Sequence, residues 1–275
     1  MGKVDDDMLT MGGHLEVLRG SLFRVVAAVI AIAAAVFCMK EAAFDVLLAP
    51  GESDFVTYRA IGRLAWKLGL QWSIEPFGVQ LIATDLSSQF MTHVTTALYL
   101  GFLGASPYIV YEVFRFVSPA LYEHERHYSV AVVTTVYLLF IGGVLLCYYV
   151  LFPVSFRFLG TYSVDSRVCS MITLDSYIST FVSLALVMGV VFQLPVLAFI
   201  LTKMEVIDAG VLSRYRKHAV LLIMVAAAVI TPPDIMTLIF VAVPLYLLYE
   251  VSIRVARKVR HNSASDEKVA GKFGG

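Results

Sequence analysis

Of the 275 residues, 59% are hydrophobic and only 15% are charged, with a mean hydropathy of +0.80. A globular domain averages about 45–50% apolar and about 25% charged, so lipid rather than water is this chain's main solvent. Lys+Arg and Asp+Glu balance at 21 each, which gives no sign of a nucleic-acid or polyanion partner and shifts attention to where the positive charges lie.

The chain opens on a polar stretch, Met1 to Gly13, acidic through Asp5, Asp6 and Asp7. It lacks the basic start and small-residue cleavage site of a removable leader, so the first apolar run is expected to persist. A hydrocarbon core of roughly 30 Å takes about 20 apolar residues as helix, because lipid offers the backbone no hydrogen-bond partner. Leu22–Met39 is the first such run, broken only by Arg24, whose long stem can carry its head to the lipid headgroups. Phe55–Leu70 follows, with Arg59, Arg63 and Lys67 recurring every four residues. That spacing reads as an amphipathic helix on the outer membrane surface or on the protein, in preference to a further span.

Leu86–Tyr111 is the second run and carries only His93. Tyr128–Phe156 and Ser176–Thr202 contain no Asp, Glu, Lys or Arg at all. Ala219–Pro233 and Ile235–Tyr249 are shorter, about 15 residues each or roughly 22 Å at ~1.5 Å per residue, and pair around Pro232, Pro233 and Asp234. Two such helices would thin the bilayer beside them. A re-entrant hairpin is the competing reading of this pair and leaves the placement of the ends unchanged.

With the N-terminus in the cytoplasm, only Lys40, Arg59, Arg63, Lys67, Arg157 and Arg167 of the 21 Lys and Arg fall outside, as the positive-inside rule requires. The expected fold is therefore all-α: a polytopic integral membrane protein of six transmembrane helices, N-in and C-in, a concave bundle with two short C-terminal spans. Residues 1–260 form one membrane domain, and the polar tail from His261 to Gly275 is expected to be disordered.

Three cysteines cannot all pair; Cys38 and Cys147 lie in apolar runs and Cys169 in a loop, so no disulfide framework is implied. A Gly-rich phosphate loop, a Cys-x-x-Cys pair, a His-Glu-x-x-His helix and a nucleophile elbow are all missing, and the chain reads as no enzyme and as holding no cofactor. His124 and His127, three apart, could share a metal, but a third ligand is not evident nearby. An ion or solute transporter should carry ionisable groups at midplane depth or inverted repeats, and the long runs show neither. Charges at loops and helix ends favour binding or docking.

The stretch from Ser106 to Arg126 contains Ser106-Pro107-Tyr108, then Tyr111-Glu112-Val113-Phe114-Arg115-Phe116-Val117, then Ser118-Pro119-Ala120-Leu121-Tyr122-Glu123-His124-Glu125-Arg126. It closely resembles the TatC family, the multispanning receptor subunits of the twin-arginine protein translocase. His14-Leu15 with Leu18-Arg19, Ile82 to Asp85, Phe152-Pro153, Phe192 to Val196, Thr231 to Asp234, Pro244-Leu245 and Tyr249-Glu250 match in the same order, from about His14 to Glu250. The resemblance implies a bacterial inner-membrane protein that binds signal peptides bearing two adjacent arginines. It would organise single-span partners of the TatA and TatB type, in a complex holding more than one copy of itself. Folded proteins would be exported with the proton-motive force and no nucleotide hydrolysis.

A planar guanidinium is held best by a two-toothed carboxylate contact, which a lysine cannot copy. By resemblance the leading carboxylate is Glu125, with Glu123 as a second and Phe116, Tyr122 and Arg126 beside them; read without the family, Glu125 and Arg126 are ordinary surface charges. In the N-terminal segment His14 and Arg19 fit the family pattern, or simply anchor the segment to headgroups. The family Glu is Val17 here and its second Arg is Ser21. Glu16, about 100° away on a helix, is the candidate replacement. These departures keep open a scaffold that assembles partner helices without touching signal peptides.

Where the family commonly has an intramembrane Glu, this chain has Gln193, two positions before Pro195. That proline frees the carbonyl of Val191, which a Gln amide or a water can satisfy. Asp234, after Pro232 and Pro233, reads as a cap for the helix that follows. By resemblance, the Thr231–Asp234 turn and the apolar face around Leu238 dock partner helices.

Overall fold

A computed structural model describes residues 11–67, 69, 80–117, 129–163, 165, 171–204, 207, 209–231 and 235–273. These are helical apart from short turns and one two-residue parallel pairing, Leu81–Ile82 (β1) on Ile172–Thr173 (β2). The helices in order are α1 (Met11–Cys38), α2 (Lys40–Leu48), α3 (Val56–Lys67), α4 (Ser88–Val117), α5 (Ser129–Leu146), α6 (Phe152–Thr161), α7 (Leu174–Val191), α8 (Leu194–Lys203), α9 (Ala209–Arg214), α10 (Arg216–Ile230) and α11 (Ile235–Phe273). Contacts divide the chain into two compact units, Met1–Glu41 with His93–Tyr137, and Ala42–Thr92 with Leu138–Gly275.

Five segments among the described residues are long and apolar enough to cross a membrane: Leu18–Cys38, Ser88–Val113, Val133–Thr161, Leu174–Lys203 and Thr237–Val259. The expected run without a counterpart among them is the fifth, at α10, whose 15 residues fall short of that length. Other boundaries also differ from the sequence reading. The first helix begins at Met11 instead of Leu22, so the N-terminal amphipathic stretch and the first span are one rod. The last does not stop at Tyr249 but continues to Phe273, through the segment expected to be disordered. No proline interrupts it beyond Pro244, and Ala, Glu, Lys and Arg there are good helix formers.

In the first unit, α1 and the part of α4 from His93 onward run antiparallel. A Cβ on Gly101 would lie 2.7 Å from the Ala33 Cβ and 2.8 Å from the Val29 carbonyl oxygen, so the two backbones almost touch there. Ala97, Gly101 and Ala105 recur every fourth residue, and this row of small residues gives the close approach on which helix association in lipid depends. At one end of the crossing the Phe37 and His93 rings stack at 4.1 Å.

The second unit is joined by aromatics. Phe152 meets Tyr177 and Phe181 edge-on at 4.9 and 5.0 Å, and Phe156 meets Tyr177 at 4.9 Å. The Tyr177 hydroxyl donates to the Leu47 carbonyl at 3.0 Å, tying α7 to the end of α2. Gly143 and Gly189 let α5 and α7 close up: a Cβ on Gly143 would fall 2.5 Å from the Met188 carbonyl oxygen, and one on Gly189 would fall 2.6 Å from the Phe140 ring.

Between α5 and α6 the helix widens into a π turn at Cys147–Leu151, where the Phe152 N–H bonds the Cys147 carbonyl. Pro153 follows and has no N–H for the carbonyl of Tyr149. That oxygen accepts from the Thr57 hydroxyl instead. The neighbouring Tyr58 hydroxyl donates to Pro153 O at 2.7 Å. A proline-opened backbone is thus closed by side chains of α3, which rests with Tyr58, Ala65 and the preceding Phe55 buried. Of the two placements left open for Phe55–Leu70, this face lies on the protein.

Candidate functional site

The expected site residues fall into four places. Near the start of α1, His14 lies in the helix, and Glu16 and Arg19 are both exposed; the Arg19 guanidinium stands 5.7 Å over the Phe23 ring. Phe116 lies in the last turn of α4. Tyr122, Glu123, Glu125 and Arg126 fall outside the described residues, as do His124 and His127.

Between these two ends is a constellation that the sequence reading missed. Glu112 accepts from Arg24 through both oxygens, Nε to Oε1 and Nη2 to Oε2, each at 2.9 Å. The Tyr108 hydroxyl adds a third bond to Oε1 at 3.0 Å, and Arg24 Nη2 also donates to the Ser21 hydroxyl at 3.0 Å. The Glu112 side chain is 2% exposed and that of Arg24 is 46% exposed. Arg24 therefore does not just reach for headgroups: its fork is spent on a buried carboxylate, the geometry in which a charged pair within lipid is tolerated.

Two features make the pair possible. Tyr108 and Glu112 are four residues apart and share a face of α4, as Ser21 and Arg24 do on α1 at a spacing of three. The departure at Ser21 now has a local consequence, because this small hydroxyl lies against the guanidinium and accepts from it. The available signal in the sequence was one cation inside the first apolar run and one anion directly after the second.

Three contacts set the register of α1 on α4: Arg24 with Glu112, Ala33 with Gly101, and Phe37 with His93. Extended by one turn or two, this antiparallel register brings Glu16 and Arg19 to the end of α4 that carries Phe116.

The third place is the break in the fourth span. α7 stops at Val191, Phe192 and Gln193 form the turn, and α8 starts at Leu194 with Pro195 buried in its first turn. The Gln193 amide donates to the Gly189 carbonyl at 3.2 Å, not to the Val191 carbonyl as expected. The reason is the helix period: Gln193 stands four residues past Gly189, so its side chain folds back over that turn. At the far end of α10 Thr231 is buried, its hydroxyl donating to Ala227 O at 2.8 Å, whereas Pro232, Pro233 and Asp234 lie outside the described residues. Exposed Ile235, Ile239, Phe240 and Val243 make an apolar face on α11 near Leu238.

A last cluster joins α9 and α10 to α11. Arg216 Nη2 meets Glu250 Oε2 at 3.0 Å, the Tyr249 hydroxyl donates to Leu212 O at 2.7 Å, and Arg257 Nη2 donates to the Ser213 hydroxyl at 2.6 Å.

Long apolar helices, crossed through small residues, define a multi-pass α-helical membrane protein. Residues 13–244 match the family described as TatC, Sec-independent protein translocase protein. The chain is 35% identical over 247 residues to the Sec-independent protein translocase protein TatC of Blattabacterium sp. subsp. Periplaneta americana, covering 88% of this chain and 93% of that one. It is 33% identical over 257 residues to that of Desulforapulum autotrophicum, covering 94% and 87%. Its fold matches a crystal structure titled Twin Arginine Translocase Receptor TatC with a TM-score of 0.70 at 28% identity, over 90% of this chain and 99% of that one. The chain belongs to the TatC family: it is a receptor subunit of the twin-arginine translocase, a transport protein and not an enzyme.

Proposed function

We infer that this receptor binds the paired arginines of its cargo's signal peptide on the cytoplasmic face of a bacterial inner membrane. Glu125 takes one guanidinium in a two-toothed contact, with Glu123 as the second carboxylate and Phe116, Tyr122 and Arg126 around them. The start of α1, with His14, Glu16 and Arg19, forms the facing wall. The observation that carries this reading is the α1–α4 register, held by Arg24 and Glu112, which gathers the α1 end and the Phe116 turn at one place. His14, Glu16, Arg19 and Phe116 all lie within residues 13–244, which match the family.

The complete topology is six spans, N-in and C-in, with the short α10 and the long α11 paired through Thr231, Pro232, Pro233 and Asp234. At roughly 22 Å, α10 thins the bilayer beside it. Around that turn the receptor docks TatA-type and TatB-type single-span proteins, in a complex containing more than one copy of itself. The proton-motive force drives passage of the folded cargo. Gln193, neutral and bonded back to the Gly189 carbonyl, offers no charge at the Pro195 break, so no step uses an ionised carboxylate there.

The test is photo-crosslinking of a labelled twin-arginine peptide to membranes containing the full complex. The expected adducts lie around Phe116–Arg126 and the first turns of α1. Glu125→Ala should abolish both adducts and export while the protein remains inserted, and a twin-lysine peptide should crosslink poorly. Undiminished export by Glu125→Ala removes that residue from the site. Crosslinks to neither segment leave a scaffold without a peptide-binding role.

A further inference from the structure

α3 has one face on the protein and another turned outward. Phe55, Tyr58 and Ala65 are buried and hold the helix against the π turn and α6, so its attitude is fixed at a membrane-spanning segment. Arg59, Arg63 and Lys67 advance by about 40° per step and form one row on the outward side. Trp66, 82% exposed, and Val56 fall within the same outward half, and Leu64 is exposed at its edge. Arg59 approaches Asp54 at 3.6 Å, which leaves Arg63 and Lys67 as the outward cations of the row. On α6, Arg157 adds a further guanidinium 5.6 Å over the Tyr58 ring.

A bare tryptophan next to a row of cations, on a helix pinned beside a span, matches the layered chemistry of a bilayer interface. The indole suits the boundary of headgroups and chains, and the cations suit phosphate. We propose that the outward face of α3 is a binding site for anionic phospholipid headgroups, with Arg63 and Lys67 on the phosphates and Trp66 in the interface. An acidic protein segment would satisfy the cations but gives no reason for exposed Trp66, Leu64 and Val56 beside a membrane span. The proposal does not depend on signal-peptide binding.

The sequence has two tryptophans, so Trp72→Phe leaves Trp66 as the only reporter. The protein is reconstituted in vesicles of phosphatidylcholine and phosphatidylglycerol, with bromine on the chains of one lipid or the other at equal mole fraction. Both leaflets then have the same composition, and the direction of insertion does not matter. Brominated phosphatidylglycerol should quench Trp66 about twofold or more above brominated phosphatidylcholine, because each cation near the surface recruits anionic lipid. Raising ionic strength toward 1 M, where the screening length falls to about 3 Å, should level the two. Arg63→Gln with Lys67→Gln should level them without salt, and millimolar inorganic phosphate should leave the preference intact. Equal quenching in the parent protein overturns the proposal, as does a Trp66 that neither lipid quenches. A preference abolished by inorganic phosphate assigns the face to free anions and overturns it too.

Discussion

Gly101 is a position where one added methyl group should force two helix backbones apart. Its Cβ would stand 2.7 Å from the Ala33 Cβ, 2.8 Å from Val29 O and 2.9 Å from the Ala33 Cα. Two of these three atoms are backbone, so α1 as a whole must retreat. Overpacking of this kind costs about 1–3 kcal/mol, and contact with backbone places it near 3. Alanine returns about 1 kcal/mol through better helix propensity, leaving a net loss of about 2 kcal/mol. At about 2–4 °C per kcal/mol for a domain of 150–250 residues, Gly101→Ala should lower the melting temperature by about 4–8 °C.

Gly104 is the internal control. Its Cβ would meet only Ile32 Cγ2, at 3.0 Å, the end of a side chain that can turn away. Gly104→Ala should therefore be neutral or slightly stabilising. The assay is thermal unfolding of purified protein in one detergent, read together with signal-peptide crosslinking. Parting α1 from α4 also pulls Arg24 from Glu112, so crosslinking should fall for Gly101→Ala and hold for Gly104→Ala. Equal melting temperatures for the two variants would refute the close-crossing argument.

The Arg24–Glu112 pair predicts a rescue: Arg24→Glu or Glu112→Arg alone should weaken peptide crosslinking and stability, and the two together should restore much of both. A double variant no better than the singles would show that the pair is not what aligns α1 with α4. Burial pushes the Tyr58 hydroxyl above its usual titration range, with Arg157 opposing. In the unfolded chain it ionises near pH 10, so its contribution is complete below that pH and is lost above it. Melting temperature should thus decline beyond about pH 10, less steeply in Tyr58→Phe, and an unchanged slope would remove Tyr58 as a source. For α10, depth labels at Arg216 and Thr231 in a bilayer of known thickness should show at least one end below headgroup level; both at normal height would exclude local thinning.

Much of this protein is legible without coordinates, because crossing a lipid core is a local requirement: a run either has enough apolar residues or does not. Ser176–Thr202 is readable as a full-length span for that reason, and α10 as a short one for the same reason. The motif from Ser106 to Arg126 points to the family, and Glu125 is named by that motif alone. Pairing between helices is a different kind of information. Nothing local to Arg24 says that its partner stands 88 residues away. That depends on Gly101 admitting Ala33, which fixes the register of α1 on α4 and so brings a cation and an anion to the same depth.

The breaks in the third and fourth spans divide in the same way. Pro153 and Pro195 announce that a backbone carbonyl will be freed. Only the tertiary structure decides that Thr57 of α3 answers the first, while Gln193 folds back to Gly189 at the second. Chain solvation can be read from composition along the sequence; which polar group satisfies which depends on distances that exist only once the helices have packed.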